Sequence, residues 1–257
     1  MPRSALAEDG YLHYMPRVSQ THCVEELAEL RREFEQLEPD EYAPPGVNRF
    51  RRYGNGVILP WQDTHEGHWL PIVKDGAGHG RAGYDQGGNN PDHANIRYFH
   101  ALSDAVKNNR VLLDLTDEDF SLTFWQHPGQ PLPIYFGVHF VKLTSASSDQ
   151  PGISSPNFFH QDGEPVTFAH LIYRSSNMTG GINFIGHPEI RNMLFEDARA
   201  SQILAEFTLS EPLDSFVVHD PKVSHYISPI KKLDDASPGV CERCIVLVDF
   251  SPTIQRI

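Results

Sequence analysis

The residues with the clearest chemical potential are His160-Gln161-Asp162, which follow Phe158-Phe159 and precede Gly163-Glu164-Pro165. In a strand, residues i and i+2 point to the same face, so an imidazole and a carboxylate would stand side by side. Two such ligands need a third from elsewhere to hold a metal. Two histidines and one carboxylate leave three coordination positions open, an arrangement suited to non-haem Fe(II). His-x-Asp alone is weak: with 14 histidines in the chain, a surface histidine near an aspartate is the plainer reading. The third ligand is expected late, on a strand that returns beside the first. His225 sits in Val223-Ser224-His225-Tyr226-Ile227, just after the Asp220-Pro221 turn. His219 is a rival, but it lies at the turn itself, whereas Val223 and Tyr226-Ile227 place His225 in a strand. Arg243 then opens the apolar run Cys244-Ile245-Val246-Leu247-Val248-Asp249-Phe250. A charge there is costly if buried unpaired. A guanidinium is also shaped for bidentate capture of a carboxylate. The bland alternative is a barrel-edge arginine paired with a protein acid.

These residues need strands to position them, and the pattern turns to β from Pro133. Ile134–Leu143 alternates Phe136, Val138 and Phe140 against Gly137, His139 and Val141. Further strands are expected at Phe158–Asp162, Val166–Tyr173, Gly181–Ile185, Ala205–Leu209, Asp214–His219, Ser224–Ile227 and Arg243–Phe250. Seven or eight short strands separated by turns point to a barrel or jelly roll. Upstream, Leu27, Leu30, Phe34 and Leu37 recur at helical spacing over His22–Gln36, and Pro39 ends the pattern. A second helix is expected within Ser103–Phe124. Arg49-Phe50-Arg51-Arg52-Tyr53 is a short basic-aromatic segment. Residues 61–95 read as a long loop, and 187–204 as a helical insertion between strands. The fold class is therefore mainly β with an N-terminal helical layer. One domain is expected, with the helical layer and a lid loop over about 1–130 and the β core over about 133–252.

Composition removes several function classes. At 257 residues with 39% hydrophobic residues, the chain can bury a sizeable core. Its net charge of −13 disfavours nucleic acid, which is bound largely through basic surface. No apolar run approaches the ~18 residues of a membrane span, and Met1–Asp9 carries no apolar signal-peptide core. Three cysteines (Cys23, Cys241 and Cys244) fit a reducing cytoplasm without a disulfide framework. Cys241-Glu242-Arg243-Cys244 lacks the second pair that structural zinc requires and reads as two reduced thiols. His65, His68, His79 and His93 lie in the Gly-rich loop and read as solvated. His139 and His170 fall on apolar strands, where hydrogen-bonded core imidazoles are the default.

Several ordered segments together resemble the iron(II)/2-oxoglutarate-dependent dioxygenases that hydroxylate free amino acids, of the L-isoleucine 4-hydroxylase type. They are Gly137-Val138-His139, Ser154-Ser155-Pro156, His160 to Val166, His170-Leu171, Thr179-Gly180-Gly181, Glu211-Pro212-Leu213-Asp214, Val223-Ser224-His225 with Ser228-Pro229, and Arg243 to Phe250. The resemblance runs from about Arg49 to Pro252. It implies a double-stranded β-helix (jelly-roll, cupin-like) core. It assigns His160, Asp162 and His225 to iron and Arg243 to the distal carboxylate of 2-oxoglutarate, with dioxygen as oxidant. The implied reaction is hydroxylation of an unactivated C–H bond, with 2-oxoglutarate converted to succinate and CO2. Related halogenases have a small residue in place of the carboxylate, so Asp162 argues against halogenation. Arg97, and more loosely Arg51, match arginine positions of the isoleucine enzyme and are expected at the substrate carboxylate. Glu164, two residues from Asp162, is expected to face the substrate ammonium. The 187–204 stretch is longer than in the isoleucine enzyme and the 61–95 loop differs, so the particular amino acid does not carry over. Two other outcomes stay open: desaturation, cyclisation or epimerisation with the same cofactors, and a non-catalytic metal- or ligand-binding jelly roll. Self-association into a homo-oligomer also stays open.

Overall fold

The computed structural model describes the chain except for residues 1, 21–23, 63, 65, 86–95, 128, 131, 155 and 253–257. The chain runs through α1 (Pro2–Asp9), β1 (Tyr11–Tyr14), α2 (Val24–Glu35) and β2 (Arg49–Ile58). The short strands β3 (His68–Trp69), β4 (Val73–Lys74), β5 (Gly80–Tyr84) and β6 (Arg97–His100) follow, then α3 (Asp104–Lys107) and α4 (Arg110–Leu122). The second half holds β7 (Ile134–Ser145), β8 (Val166–Arg174), β9 (Met178–Thr179), β10 (Ile182–Gly186), β11 (Ile203–Thr208), β12 (Ser215–His219), β13 (Ser224–Ile227), β14 (Lys231–Lys232) and β15 (Cys241–Ser251). Seven strands form a major sheet in the order β1-β12-β8-β15-β7-β2-β3, and β11-β10-β13 form a smaller one. This is the jelly roll expected from the strand pattern.

β15 is the axis of the major sheet. It pairs antiparallel with β7 from Cys241↔Ser145 to Ser251↔Tyr135 and with β8 on its other side. Its residues alternate between two buried environments. Cys244, Val246, Val248 and Phe250 join Phe136, Val138 and Phe140 of β7 in the main core. Leu30 and Phe34 of α2, with Leu112, Leu115 and Phe120 of α4, cover that face. Arg243, Ile245, Leu247 and Asp249 point the other way and line a cavity. Burying each large apolar side chain contributes about 1.5–3 kcal/mol, so the pattern fixes the register. A one-residue slip would press Arg243 and Asp249 into the helices.

The helical layer is pinned by caps and one buried polar network. Asn109 caps α4, its side-chain oxygen accepting from the backbone N–H groups of Val111 and Leu112. On α4, Asp119 meets His170 of β8 at 2.8 Å and accepts from the Tyr14 hydroxyl at 3.1 Å. The Ser215 hydroxyl donates to the Leu213 carbonyl, so it accepts from His170 Nδ1 at 2.8 Å. Burial pushes the Asp119 carboxyl above its usual range. His170 is thus the hydrogen-bonded core imidazole expected of it. It ties α4 to three strands.

Other details depart from the sequence reading. Phe158–Asp162 is not a strand; it makes only an isolated bridge, His160↔His225. Its backbone groups are taken elsewhere: Phe159 N–H donates to the Met193 carbonyl, and Asp162 N–H donates to the Asp220 carboxylate. The Arg49–Tyr53 segment opens β2, a ten-residue strand buried along most of its length. The helical layer is not purely helical, since β1 and β2 from the same region join the major sheet. The expected loop 61–95 contains β3, β4 and β5, and its residues 86–95 lie outside the described residues. Residues 187–204 hold three single 3-10 turns rather than an α-helix. Among the described residues no helix is long and apolar enough to cross a membrane.

His170→Ala leaves Asp119 buried without its nitrogen partner. Urea unfolding is expected to show a loss of about 3–5 kcal/mol, whereas an exposed substitution such as Glu211→Ala changes little.

Candidate metal centre and active site

His160, Asp162 and His225 come together at the cavity wall, each with one ligating atom within 4.8 Å of the others. His160 Nε2 lies 3.7 Å from Asp162 Oδ1, and His225 Nε2 lies 3.6 Å from Asp162 Oδ2. His225 arrives on β13, and the two backbones exchange 2.9 Å hydrogen bonds between His160 and His225. His160 Nδ1 faces the Phe158 carbonyl at 2.9 Å, which can only accept, so Nε2 keeps its lone pair for a metal. Burial and then the His225 charge push His160 down to about 4, so the ring is neutral at pH 7. Two imidazoles and a carboxylate facing one point form a donor set that fits Fe(II). His219 is not part of the cluster; it ends β12 and packs on Phe124, with ring centroids 4.8 Å apart.

Since His160-Gln161-Asp162 is loop, something other than a ladder must hold Asp162. Asp220 does so. Its carboxylate accepts from the backbone N–H of Asp162 and of Gly163, both at 2.8 Å. The Gln161 side-chain amide donates to the carbonyls of Asp220 and Val223. Burial and the Asp162 charge push Asp220 up to about 6. The turn before β13 therefore latches the loop that carries the other two ligands. Only the Asp-Pro turn marked this residue in the sequence, and a turn does not announce a latch.

Arg243 lines the same cavity, is 5% exposed, and its Nε has no hydrogen-bond partner among the described residues. No protein carboxylate pairs with it there, so the barrel-edge ion pair is not what forms. Burial, then the neighbouring Arg174 charge, pushes it down to about 9. Gly181 makes the space: its φ is +67°, and a Cβ would stand 3.1 Å from Arg174 Nη1 and 3.2 Å from Arg243 Cδ. A buried guanidinium without an acid fits an incoming carboxylate.

A second group of cations lies elsewhere on the wall. Arg51 and Arg97 share the Tyr84 and Phe99 rings, with Arg51 Cζ 4.4 Å from the Phe99 centroid and Arg97 Cζ 5.2 Å from that of Tyr84. Burial, then the Arg51 charge, pushes Arg97 down to about 10. Arg51 Nη2 reaches His139 Nδ1 at 2.6 Å, and His139 Nε2 reaches Asp249 Oδ2 at 2.8 Å. Burial, then the Arg51 and Arg97 charges, holds His139 well below its usual pKa. Gly137 lies across from Asp249, and a Cβ there would sit 2.7 Å from both carboxylate oxygens. Glu164 is buried but does not line the cavity. Burial and Asp249 push its carboxyl up to about 9. The sequence reading passed over Asp249, although it stands six residues from Arg243 and so on the same strand face.

The remaining expected features separate from this site. Cys241 packs with Leu143, Met178 and Ile230, while Cys244 points into the main core. Both are free thiols, and burial pushes Cys244 up to about 12. Cys23, His65 and His93 lie outside the described residues. His68 and His79 stand on the exposed side of the β3–β5 region, and neither lines the cavity.

The sequence pattern of the 2OG-Fe dioxygenases matches residues 31–247. The chain belongs to that family. As a 2OG-Fe dioxygenase it is an oxidoreductase whose cofactors are Fe(II), 2-oxoglutarate and dioxygen. It is 28% identical over 236 residues to a 3(1)-hydroxy-L-isoleucine 4-dioxygenase of Pantoea ananatis, covering 91% of this chain and 84% of that one. It is 26% identical over 227 residues to an L-isoleucine-4-hydroxylase of Bacillus thuringiensis, covering 88% and 82%. The crystal structure of IDO from Bacillus thuringiensis superposes with a TM-score of 0.74 at 20% identity, covering 98% of both chains. That likeness supports the jelly-roll fold of this dioxygenase.

Removing the latch tests the loop geometry. Asp220→Ala is expected to weaken Co(II) or Fe(II) binding about 10–100-fold in a metal titration, with the circular dichroism spectrum unchanged.

Proposed function

We propose that this dioxygenase hydroxylates an unactivated C–H bond of a free L-amino acid or a close derivative. The observation that carries the reading is one cavity with a His160/Asp162/His225 cluster and two separate buried cationic sites. One cation is for the co-substrate and the other pair for the substrate. His160 Nε2, His225 Nε2 and an Asp162 oxygen would hold the iron. Arg243 would hold the far carboxylate of 2-oxoglutarate, replacing the partner the protein does not give it. Arg51 and Arg97 would hold the substrate carboxylate: the two like charges stand close enough to lower the Arg97 pKa, and an anion between them relieves that repulsion. Iron with 2-oxoglutarate and dioxygen supplies the oxidation of the C–H bond, and 2-oxoglutarate leaves as succinate and CO2.

The aromatic wall orients the rest of the substrate and keeps water out. Phe184 and Tyr226 line the cavity and pack on Phe195 of the 187–204 segment, with centroids 4.5 and 5.3 Å away. The two named relatives act on isoleucine or its hydroxylated form, which supports an amino-acid substrate class. The extra wall supplied by residues 187–204 argues against copying the particular amino acid. The free buried thiols Cys241 and Cys244 support a reducing cytoplasm.

Three measurements test this. Anaerobic Fe(II) with 2-oxoglutarate is expected to give a weak visible charge-transfer band that His160→Ala and Asp162→Ala abolish; a band persisting in both overturns the metal assignment. Arg243→Gln is expected to raise the KM for 2-oxoglutarate about 10–100-fold, the loss of a charged hydrogen-bonded pair. Succinate formation across the proteinogenic amino acids, pipecolate and citrulline identifies the substrate, and no coupled turnover with any of them overturns the amino-acid reading.

A further inference from the structure

An α-amino acid presents two opposite charges, and a site for it needs an acceptor for the ammonium as well as a cation for the carboxylate. Glu164 does not line the cavity. Asp249 does: it is 3% exposed, and its Oδ1 has no hydrogen-bond partner among the described residues. Its other oxygen is tied to His139. We infer that Asp249 is the residue that accepts the α-ammonium of the substrate, with His139 holding its carboxylate in the required orientation. The inference rests on the amino-acid reading above and adds the residue that selects the amine.

Proton positions along the chain of contacts follow from Arg51. A guanidinium only donates, so His139 Nδ1 accepts from Arg51 and carries no proton. The neutral ring must then carry its proton on Nε2 and donate it to Asp249 Oδ2. Asp249 is thereby held as an acceptor on Oδ2, while burial and the Asp162 charge push its carboxyl up to about 7, a cost that a cation arriving at Oδ1 relieves. The Arg51 guanidinium and the Asp249 carboxylate stand no more than about 8 Å apart, two hydrogen bonds and one ring width. A carboxylate and ammonium on one carbon, with a hydrogen bond at each end, span about that distance. The same face of β15 carries Arg243 six residues away, about 20 Å along the strand. That is too far for the 2-oxoglutarate held by Arg243 to reach Asp249.

The geometry makes a specific demand on Asp249→Asn. Because His139 can only donate to it, the new amide must turn its oxygen to His139 and its NH2 into the cavity. The open position changes from acceptor to donor. The experiment compares kcat/KM for the best amino acid of the succinate panel with that for its 2-hydroxy analogue. Wild type is expected to prefer the amino acid on the order of a hundredfold, because the ammonium makes a charge-assisted bond to the carboxylate that the neutral hydroxyl of the analogue cannot match. Asp249→Asn is expected to lose at least about tenfold of that preference, or to reverse it. The charge-transfer band and the KM for 2-oxoglutarate should stay at wild-type values. Asp249→Ser, which can still accept from His139, gives the same comparison should the asparagine variant fail to fold. An amino acid preference kept in a folded variant overturns the inference, as does wild-type turnover of both compounds at equal rate. In either case the amino-acid reading stands. No wild-type turnover of any amino acid overturns both. A folded variant that has lost the charge-transfer band places Asp249 on the iron side and overturns the inference alone.

Discussion

Alternation along β15 is the constraint on which the other features depend. The strand lies between β7 and β8, so both its edges are paired, and the helical layer and the cavity bury its two faces. Cys244, Val246, Val248 and Phe250 seal the helical layer onto the sheet, and Arg243, Ile245, Leu247 and Asp249 form the cavity wall. A period of two lets a single strand be core and active site at once. The apolar face supplies the energy that keeps Arg243 and Asp249 on the opposite side. The helical layer, far from any chemistry, therefore helps to set the register of the site.

Arginine pairing separates structural from functional cations in this fold. Arg49 meets Asp40 at 2.7 Å, and Arg52 meets Glu33 and Glu38 at 2.8 Å each. Those side chains staple β2 to the segments around α2. Arg243 is buried as deeply, yet no protein acid answers it among the described residues. A guanidinium kept in that state weakens the apo fold and gains its partner only when an anion binds.

The His160/Asp162/His225 cluster shows how a loop can be made as definite as a strand. His160 is fixed by one bridge to His225 and by its own Nδ1 contact with Phe158. Asp162 is fixed through its backbone, by a carboxylate from the turn that leads into β13. Both ligand-bearing segments are referenced to the same few residues, so they move together.

The chain by itself determined the strands, the amphipathic stripe of α2 and the ligand motif, because these are written as local periodicity and spacing. Family resemblance across ordered segments also pointed to the jelly roll and its cofactors. Tertiary structure brought His225 beside His160 on β13 and left His219 against Phe124, as the strand pattern and the resemblance already implied. It also showed that His160-Gln161-Asp162 is latched loop, that β1 and β2 belong to the major sheet, and that Asp249 rather than Glu164 stands on the cavity wall. Each of these depends on residues dozens to hundreds of positions apart, such as His13 and Asp214 or His139 and Asp249. Local sequence encodes which face a side chain takes, but not what the rest of the chain places opposite it.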